Sequence, residues 1–494
     1  MSGARHVARG FALWSALALA CAPAPARAGE PPTRTMTLLM VCPTPAALRA
    51  RLATYADSAR PGDPYGAAEA RHEIGRSFFR AGLIDSAIIN FELAMALRGA
   101  DEERLALLTA LEARGNLKDL ERVIGLIQGS IVGSDIASQI TYWRGHLAWA
   151  LFLAGKADSA HALASSIASE ANWSLEWQER FGLIAAAHGD ARDAFARLLP
   201  VARAARGQAA EVTAALARAG AELPSADRDR ADQLIENLTA PVDRAERAWL
   251  GHAGASRLDF AARDGFPLGA IVFPAASVAR PRAVIVVMAH SDSLADHDSL
   301  GVMLARTGLT VLLLEMRGRG HSVAPSCPLP WAWRGREEKM ESTVAHDVLD
   351  ALRALARQTP IDTSAYVVAG IGPTVGIAIE AGTLDPRAGA LLLVSPEPPT
   401  SEQGRACARL AKMRRPVFLQ TSPEDAVAWF EVIDALYQSG NRSASRQADA
   451  KGMGRRAIQY RYDPAIAERF RRWLTDVLPE HARRAPRPER PRRG

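Results

Sequence analysis

The arrangement of apolar residues divides the chain into two halves of different period. Between residues 60 and 240 there is no strand-like alternation, and the segment is rich in alanine and leucine, with glycines at regular intervals. After residue 258, short leucine-rich or β-branched runs alternate with amphipathic stretches. The first pattern predicts packed helices, and the second predicts buried strands that alternate with helices.

The helical half contains a repeated unit that is clearest over residues 67–97. Small and apolar residues in this unit would let two antiparallel helices approach closely: Ile74, Gly75, Phe78, Gly82, Ile84, Ala87, Phe91 and Ala94. Glycines that would separate paired helices recur at intervals of 33 to 40 residues: Gly82, Gly115, Gly155 and Gly189, with Gly220 suggesting a fifth. The spacings resemble those of the tetratricopeptide repeat. This resemblance implies four or five helix pairs stacked into a curved solenoid.

The resemblance also implies a function for the helical half. A tetratricopeptide array binds peptides or proteins on its concave face, so we expect a peptide or protein partner there. The alternative is a structural spacer that packs on the second domain. The amino-acid pattern alone leaves both open.

The second half predicts a sheet with helices on both faces. Asp264 and Gly265 indicate a hairpin turn within residues 258–274. Further buried strands are predicted at 283–289, 310–315, 365–370, 390–394 and 416–420. Apolar strands separated by amphipathic helices are typical of a doubly wound, mostly parallel sheet.

Three local patterns in this half resemble the α/β-hydrolase fold over residues 258–478. His290-Ser291 follows a strand where that family has its oxyanion loop, which here includes Asp292. Residues 312–322 match the strand-end pattern D-x-R-G-x-G-x-S, with glutamate for aspartate. Residues 360–382 match the segment that carries the nucleophile on a sharp G-x-S-x-G turn. The fold class is therefore a tetratricopeptide-like α-helical solenoid followed by an α/β domain of α/β-hydrolase type.

The resemblance implies a catalytic triad that the sequence does not complete. Gly372 stands at the nucleophile position and has no side chain to attack a carbonyl. Asp425 stands at the position of the acid. The expected histidine is absent, because His481 is the only histidine after Asp347. We therefore expect a pseudoenzyme that binds or scaffolds.

The alternative is an active esterase or peptidase with an unconventional nucleophile. Hydroxyl groups at Ser291, Ser293 and Thr374 are the candidate nucleophiles. The candidate bases are His290, His297, His321 and His346. Each combination requires a displaced geometry. A third reading is that the hydrolase-like domain is purely structural and closes one end of the solenoid.

Two tryptophans on a long loop are candidates for ligand binding. Trp331 and Trp333 precede the helix predicted at Met340. They either line the crevice above the sheet edge, where a small ligand would bind, or seal the loop onto the body.

The ends of the chain suggest export. Residues 1–28 have a basic start, an apolar core and a small-residue cleavage site, as in a signal peptide. Periplasm and secretion both fit, and lipidation at Cys21 is an alternative. The predicted segments are a signal peptide at 1–28, a linker or helix at 29–59, repeats at 60–240, a linker at 241–257, the hydrolase-like domain at 258–478 and a disordered basic tail at 479–494.

Charge and cysteine content narrow the function classes. The net charge of +6 comes from arginines in the signal peptide and the tail, so the body is close to neutral. We therefore expect no nucleic-acid partner. The mature chain keeps Cys42, Cys327 and Cys407, of which the last two could form a disulfide or remain free buried thiols. No zinc-site spacing is present, and we expect no metal and no cofactor.

Overall fold

A computed structural model of the chain describes residues 44–59, 62–133, 136–170, 173–276, 278–290, 294–397, 400–425, 436–438, 440–450 and 456–478. The predicted signal peptide, Cys21, Cys42 and the predicted basic tail lie outside the described residues.

The N-terminal half is helical, as its pattern predicts. Its helices are α1 Pro45–Ala59, α2 Pro64–Arg80, α3 Ile84–Leu97, α4 Asp101–Arg114, α5 Leu117–Gly133, α6 Ala137–Leu153, α7 Ala157–Ile167, α8 Leu175–His188, α9 Ala191–Ala204, α10 Ala210–Glu222 and α11 Ser225–Glu236. Each helix from α1 to α4 packs on the helix that follows it. The later helices that are connected by short turns pack on each other in the same way. We call helices α2 to α11 the helical array.

Each of the four predicted turn glycines lies between the two helices of one pair. Gly82, Gly115, Gly155 and Gly189 have φ between +71° and +90°, a region that residues with a Cβ rarely adopt. Gly220, suggested as the turn of a fifth pair, instead lies inside α10. That helix ends because Pro224 forces the preceding residue into extended backbone and cannot continue the helical hydrogen bonds.

Two glycines allow the paired helices to approach each other. A Cβ placed on Gly75 would lie 2.5 Å from a ring carbon of Phe91 on the facing helix. A Cβ on Gly182 would lie 2.6 Å from Leu198 in the fourth pair. Both glycines stand seven residues before the turn glycine of their own pair. The repeat therefore fixes a close contact as well as a turn.

The segment expected to be a linker, residues 241–257, is mostly helical. Helix α12 spans Ala240–Ala253 and ends at Gly254, which has φ +65°. Strand β1 begins two residues later. Leu250 of α12 joins the core on one face of the sheet, so this helix packs against the C-terminal domain.

The C-terminal half contains one mixed sheet of eight strands among the described residues. The strands are β1 Ser256–Ala261, β2 Pro267–Phe273, β3 Arg282–Val287, β4 Thr310–Leu314, β5 Asp362–Ile371, β6 Ala388–Val394, β7 Val417–Thr421 and β8 Arg446–Asp449. Their order across the sheet is β1-β2-β4-β3-β5-β6-β7-β8. Strand β2 pairs antiparallel with β1 and β4, and the remaining pairs are parallel.

Helices cover both faces of the sheet, as the buried strands predict. They are α13 Leu294–Arg306, α14 Glu337–Gln358, α15 Val375–Leu384, α16 Thr400–Met413, the short α17 Gln459–Tyr462 and α18 Ala465–Val477. One core contains residues of α14, α15 and α16, and the other contains residues of α12, α13 and α18. The carboxyl ends of the parallel strands therefore meet at one edge, where ligands bind in sheets of this kind.

Two further features of the described residues concern the cysteines and the length and apolar character of the helices. Cys327 and Cys407 are both buried, and no disulfide joins them to each other. Burial raises the pKa of the Cys327 thiol to about 11. Within the described ranges, no helix has the length and apolar character needed to cross a bilayer.

Candidate functional site

The turn after β5 keeps the backbone of a nucleophile elbow. Strand β5 ends at Ile371, a 3-10 turn spans Gly372–Thr374, and α15 starts immediately afterwards. Gly372 has φ +57°. Strand and helix approach so closely that a Cβ on Gly370 would lie 2.6 Å from the Cα of Val375. The strand, sharp turn and helix that would expose a nucleophile are all present.

The space above Gly372 is occupied by an arginine. A Cβ built on Gly372 would lie 2.8 Å from Nε of Arg456. The Arg456 guanidinium is held by Glu397, with 2.8 Å between Nη2 and Oε2. Glu397 is held in turn by the elbow, because its backbone N–H donates to the Gly372 carbonyl over 3.0 Å. An ion pair therefore covers the position from which a nucleophile would act.

The residue after Gly372 cannot donate a backbone hydrogen bond. In the elbow geometry, the backbone N–H that follows the nucleophile is one donor of the oxyanion hole. Pro373 occupies that position and has no backbone N–H. Sequence reasoning missed this loss, although the proline is visible in the sequence beside the missing serine.

Asp425, at the acid position, belongs to a buried hydrogen-bond network. Its Oδ2 accepts hydrogen bonds from the Ser395 hydroxyl over 2.6 Å and from the Ser422 backbone N–H over 2.9 Å. The Gln459 side-chain amide also donates to it, over 3.0 Å. Gln459 follows β8 and contacts Asp425, just as the histidine of a catalytic triad contacts its acid. An amide cannot take a proton at neutral pH, so Gln459 cannot serve as a general base.

The same network reaches the residues over the elbow. Ser395 is fully buried, has φ +45°, and accepts hydrogen bonds from the Arg456 backbone N–H and the Gln459 amide, both over 2.7 Å. Gln420 donates to the carbonyl oxygen of the Gln459 side chain over 2.8 Å. Sequence reasoning named only Asp425 of this group. Ser395, Arg456 and Gln459 carry no motif, and only the folded sheet brings them together.

Thr374, a candidate replacement nucleophile, is committed to the backbone. Its buried hydroxyl accepts a hydrogen bond from the Ile371 N–H over 2.9 Å and lies 2.8 Å from the Val287 carbonyl oxygen. Among the described residues, no histidine bonds to it. Ser291, Ser293 and Asp292, the other predicted residues of this region, lie outside the described residues.

The candidate histidines are engaged in structural contacts. His290 Nε2 lies 3.0 Å from the Arg317 carbonyl oxygen, and burial lowers the pKa of His290 below its ordinary value. His346 Nδ1 lies 2.9 Å from the Ser342 carbonyl oxygen one turn earlier in α14. His297 is 1% exposed. Neither His290 nor His346 is placed beside a described hydroxyl that it could activate.

His321 belongs to an ion-pair network at the junction of α12 and the sheet. Its ring nitrogens lie 3.2 Å from a Glu246 oxygen and 3.3 Å from an Asp259 oxygen. Donor atoms of His321, Glu246 and Asp243 lie within 4.8 Å of one another. Arg206 pairs with Asp243, and Arg257 pairs with Glu246. Because guanidinium groups already balance these carboxylates, the cluster is organised as ion pairs.

Trp331 and Trp333 line one cavity with His290. The cavity has a volume of about 290 Å³, and its remaining wall comprises Glu176, Pro330, Arg334, Glu337 and Met340. Trp333 packs against both the sheet core and the cluster around Phe266. Trp331 packs against the helical array and donates its indole N–H to Glu179 over 2.5 Å. The loop thus lines a cavity and also packs against both domains.

A larger cavity of about 520 Å³ lies between α12 and α13. Its wall includes Trp249, Phe273, Met303 and Arg306. None of the residues around Gly372 lines it.

In comparisons with known proteins, the similarities found are with solved structures of low sequence identity, described as esterases and other hydrolases. No protein-family model matches, and no curated protein is similar in sequence. The esterase domain of a Rhodothermus marinus protein is 14% identical, with a TM-score of 0.34, over 45% of this chain and 98% of that chain. The α/β hydrolase GrgF from Penicillium sp. sh18 is 15% identical, with a TM-score of 0.35, over 45% and 99%. A 2,6-dihydroxy-pseudo-oxynicotine hydrolase is 13% identical, with a TM-score of 0.36, over 63% and 90%.

Proposed function

We propose that the chain is an exported binding or scaffold protein whose α/β-hydrolase-like domain is not a catalyst. The observation that carries this proposal is the Arg456–Glu397 ion pair above Gly372, where the nucleophile of a hydrolase would stand. The pair occupies the space that a nucleophile and the carbonyl of its substrate would need. Export rests on the signal-like pattern of residues 1–28.

The losses at the site are several and concern different parts of the same machinery. Gly372 supplies no nucleophile, Pro373 supplies no oxyanion donor, and Gln459 replaces the base. Loss of one oxyanion donor alone slows acyl transfer by about 100- to 1,000-fold. Nucleophile and base act as a unit, so the loss of either removes most of the acceleration. Restoring one group would leave the others missing.

The helical array is the better candidate for the binding surface. The cavity lined by Trp331 and Trp333 is about 290 Å³, at the lower limit of the roughly 300–1,000 Å³ typical of small-molecule sites. The array instead carries two carboxylates on α8, Glu176 and Glu179, and the aromatic ring of Trp149 on α6. We propose that the array binds a peptide or protein segment and that the hydrolase-like domain supports it.

Ester hydrolysis by the folded protein tests the non-catalytic proposal. The purified chain is incubated with a panel of p-nitrophenyl esters, with an active esterase as positive control. We expect no release above that of a Thr374→Ala variant or of buffer. Turnover by the wild-type protein that a single serine or threonine substitution abolishes would show that the domain is an enzyme.

A further inference from the structure

The loop between β4 and α14 lies against the helical array. We call residues 329–336 of this loop the docking segment. On the fourth helix pair, its Trp331 donates to Glu179, and its Arg334 forms an ion pair with Glu176 that has 2.6 Å between Nη2 and Oε1. Leu329, which is 3% exposed, joins an apolar cluster with Leu183 of α8. An apolar, an indole and a guanidinium group of the segment are thus all bound by the array.

The docking segment also reaches the first helix pair. A Cβ on Gly335 would lie 3.2 Å from Ile84 and 3.5 Å from Phe79. Trp331 and Gly335 are four residues apart, and four extended residues span at most about 14 Å. Since so short a segment touches the first and the fourth pair, the array must curve around it. The docking segment therefore occupies the concave side of the array.

The surface beneath the segment is acidic and selects its chemistry. Burial raises the pKa of Glu179, and the Trp331 hydrogen bond opposes that shift. Glu176 pairs with both Arg180 and Arg334. Arg334 is thus the basic group that a ligand must bring, because Arg180 already belongs to the array and stacks on Trp177 at 4.7 Å.

We infer that the concave side of the array recognises a segment with a tryptophan followed three residues later by an arginine, and that the docking segment occupies this site in cis. The inference rests on the proposed binding function of the array. A partner of the same chemistry binds only by displacing Trp331 and Arg334. The hydrolase-like domain therefore acts as an intramolecular ligand that regulates access to the array.

A labelled peptide tests the inference on the full chain. The peptide has the sequence of residues 328–336, PLPWAWRGR, and its binding is followed by fluorescence anisotropy. The opened variant carries Trp331→Ala and Arg334→Ala, which remove the cis contacts and leave the array unchanged. We expect the opened variant to bind the peptide at least tenfold more tightly than the wild-type protein does. A scrambled peptide of equal composition should not distinguish the two proteins.

A charge reversal identifies the site. Adding Glu176→Arg to the opened variant should weaken peptide binding at least tenfold, because the peptide arginine then meets a like charge. In the otherwise intact protein, Glu176→Arg should destabilise the chain, and Arg334→Glu in the same chain should restore its thermal stability. This swap tests the cis contact even where the opened variant does not fold.

The outcomes separate the inference from the proposed function. Equal and specific binding to the wild-type and opened proteins would show that the site is free, which overturns the cis occupancy and leaves the binding function standing. No binding to a folded opened variant would overturn the recognition chemistry itself. Neither outcome bears on catalysis, which the ester assay decides separately.

Discussion

The elbow around Gly372 and the concave side of the helical array differ in what their polar groups contact. Around Gly372, the strand, the turn with positive φ and the helix are in place, while Gly372 has no side chain and Pro373 has no backbone N–H. On the array, Glu176 and Glu179 instead hold specific side chains of another domain. In one region the polar groups pair within their own domain, and in the other charged side chains contact a loop of the second domain.

The two regions differ in whether their polar groups contact their own domain or a loop of the other domain. At the elbow, Arg456 pairs with Glu397, and Ser395 links the Arg456 backbone N–H to Asp425, so these polar groups stabilise their own domain. On the array, the polar groups bind a loop that has no continuous backbone pairing with them. A contact of that kind can open without unfolding either domain. We therefore propose that binding is regulated at the array.

The largest expected effect concerns Asp425. Replacing it with alanine leaves the Ser422 N–H, the Ser395 hydroxyl and the Gln459 amide with a lost buried acceptor. Unsatisfied buried groups cost roughly 1–3 kcal/mol each, so we expect the free energy of unfolding to fall by about 3 kcal/mol in a urea titration. Asp476→Ala, at an exposed position of α18, is the matched control and should cost less than about 1 kcal/mol. An equal effect of the two substitutions would contradict a structural role for Asp425.

Two glycines of the elbow segment sharpen the claim that its backbone is retained by packing. Gly370→Ala would place a Cβ 2.6 Å from the Cα of Val375, and we expect a loss of about 2 kcal/mol from overpacking. A Cβ on Gly376 meets nothing within 4 Å. Gly376→Ala should therefore stabilise α15 by about 0.5–1 kcal/mol. Thermal unfolding of the two variants should move in opposite directions, and a shift of the same sign would refute the packing argument.

Restoring a serine at the elbow separates backbone from chemistry. Gly372→Ser adopts a positive φ that costs a residue with a Cβ roughly 1–2 kcal/mol, and its Cβ meets the flexible Arg456 side chain. We expect that loss of stability together with no ester turnover, because Pro373 provides no oxyanion donor. Gly372→Ala should destabilise equally. Measurable turnover by the serine variant alone would mean that the remaining machinery is intact.

The smallest expected effect is a pH dependence from two buried histidines. Burial lowers the pKa of His290 and of His72 below the ordinary 6.5. As the pH falls through 6.5, the unfolded chain therefore binds protons that the folded chain does not, and the free energy of unfolding decreases. His290→Gln keeps a donor for the Arg317 carbonyl and should flatten this decrease in part. An unchanged pH profile would show that His290 does not contribute.

Much of the fold follows from local sequence pattern. The turn glycines Gly82, Gly115, Gly155 and Gly189 are predicted because positive φ is a local property that glycine alone permits readily. The buried strands are predicted because a sheet covered on both faces needs continuous apolar runs. The prediction of a turn at Gly220 was wrong, because a glycine inside a helix cannot be distinguished by pattern from a glycine at a turn. The expected linker at 241–257 is a helix, since Leu250 finds a core that only the sheet provides.

Of the candidate site, the sequence predicts only which residues are missing. The absence of a serine at Gly372 and of a histidine near the C-terminus is visible in the sequence. What fills the site is not, because Arg456 and Glu397 are 59 residues apart and meet only across the sheet edge. The docking segment shows the same limit. Trp331 was recognised as a candidate for binding, but its partner Glu179 lies 152 residues away in the other domain.

The most direct test of the account is labelling of the folded protein with a fluorophosphonate probe, followed by mass-spectrometric mapping. The probe reacts with serine or threonine side chains that a neighbouring base activates. We predict no stoichiometric labelling of any residue, whereas an active esterase treated in parallel is labelled on its nucleophile. Stoichiometric labelling of one serine or threonine in the C-terminal domain, lost on heat denaturation, would contradict the account.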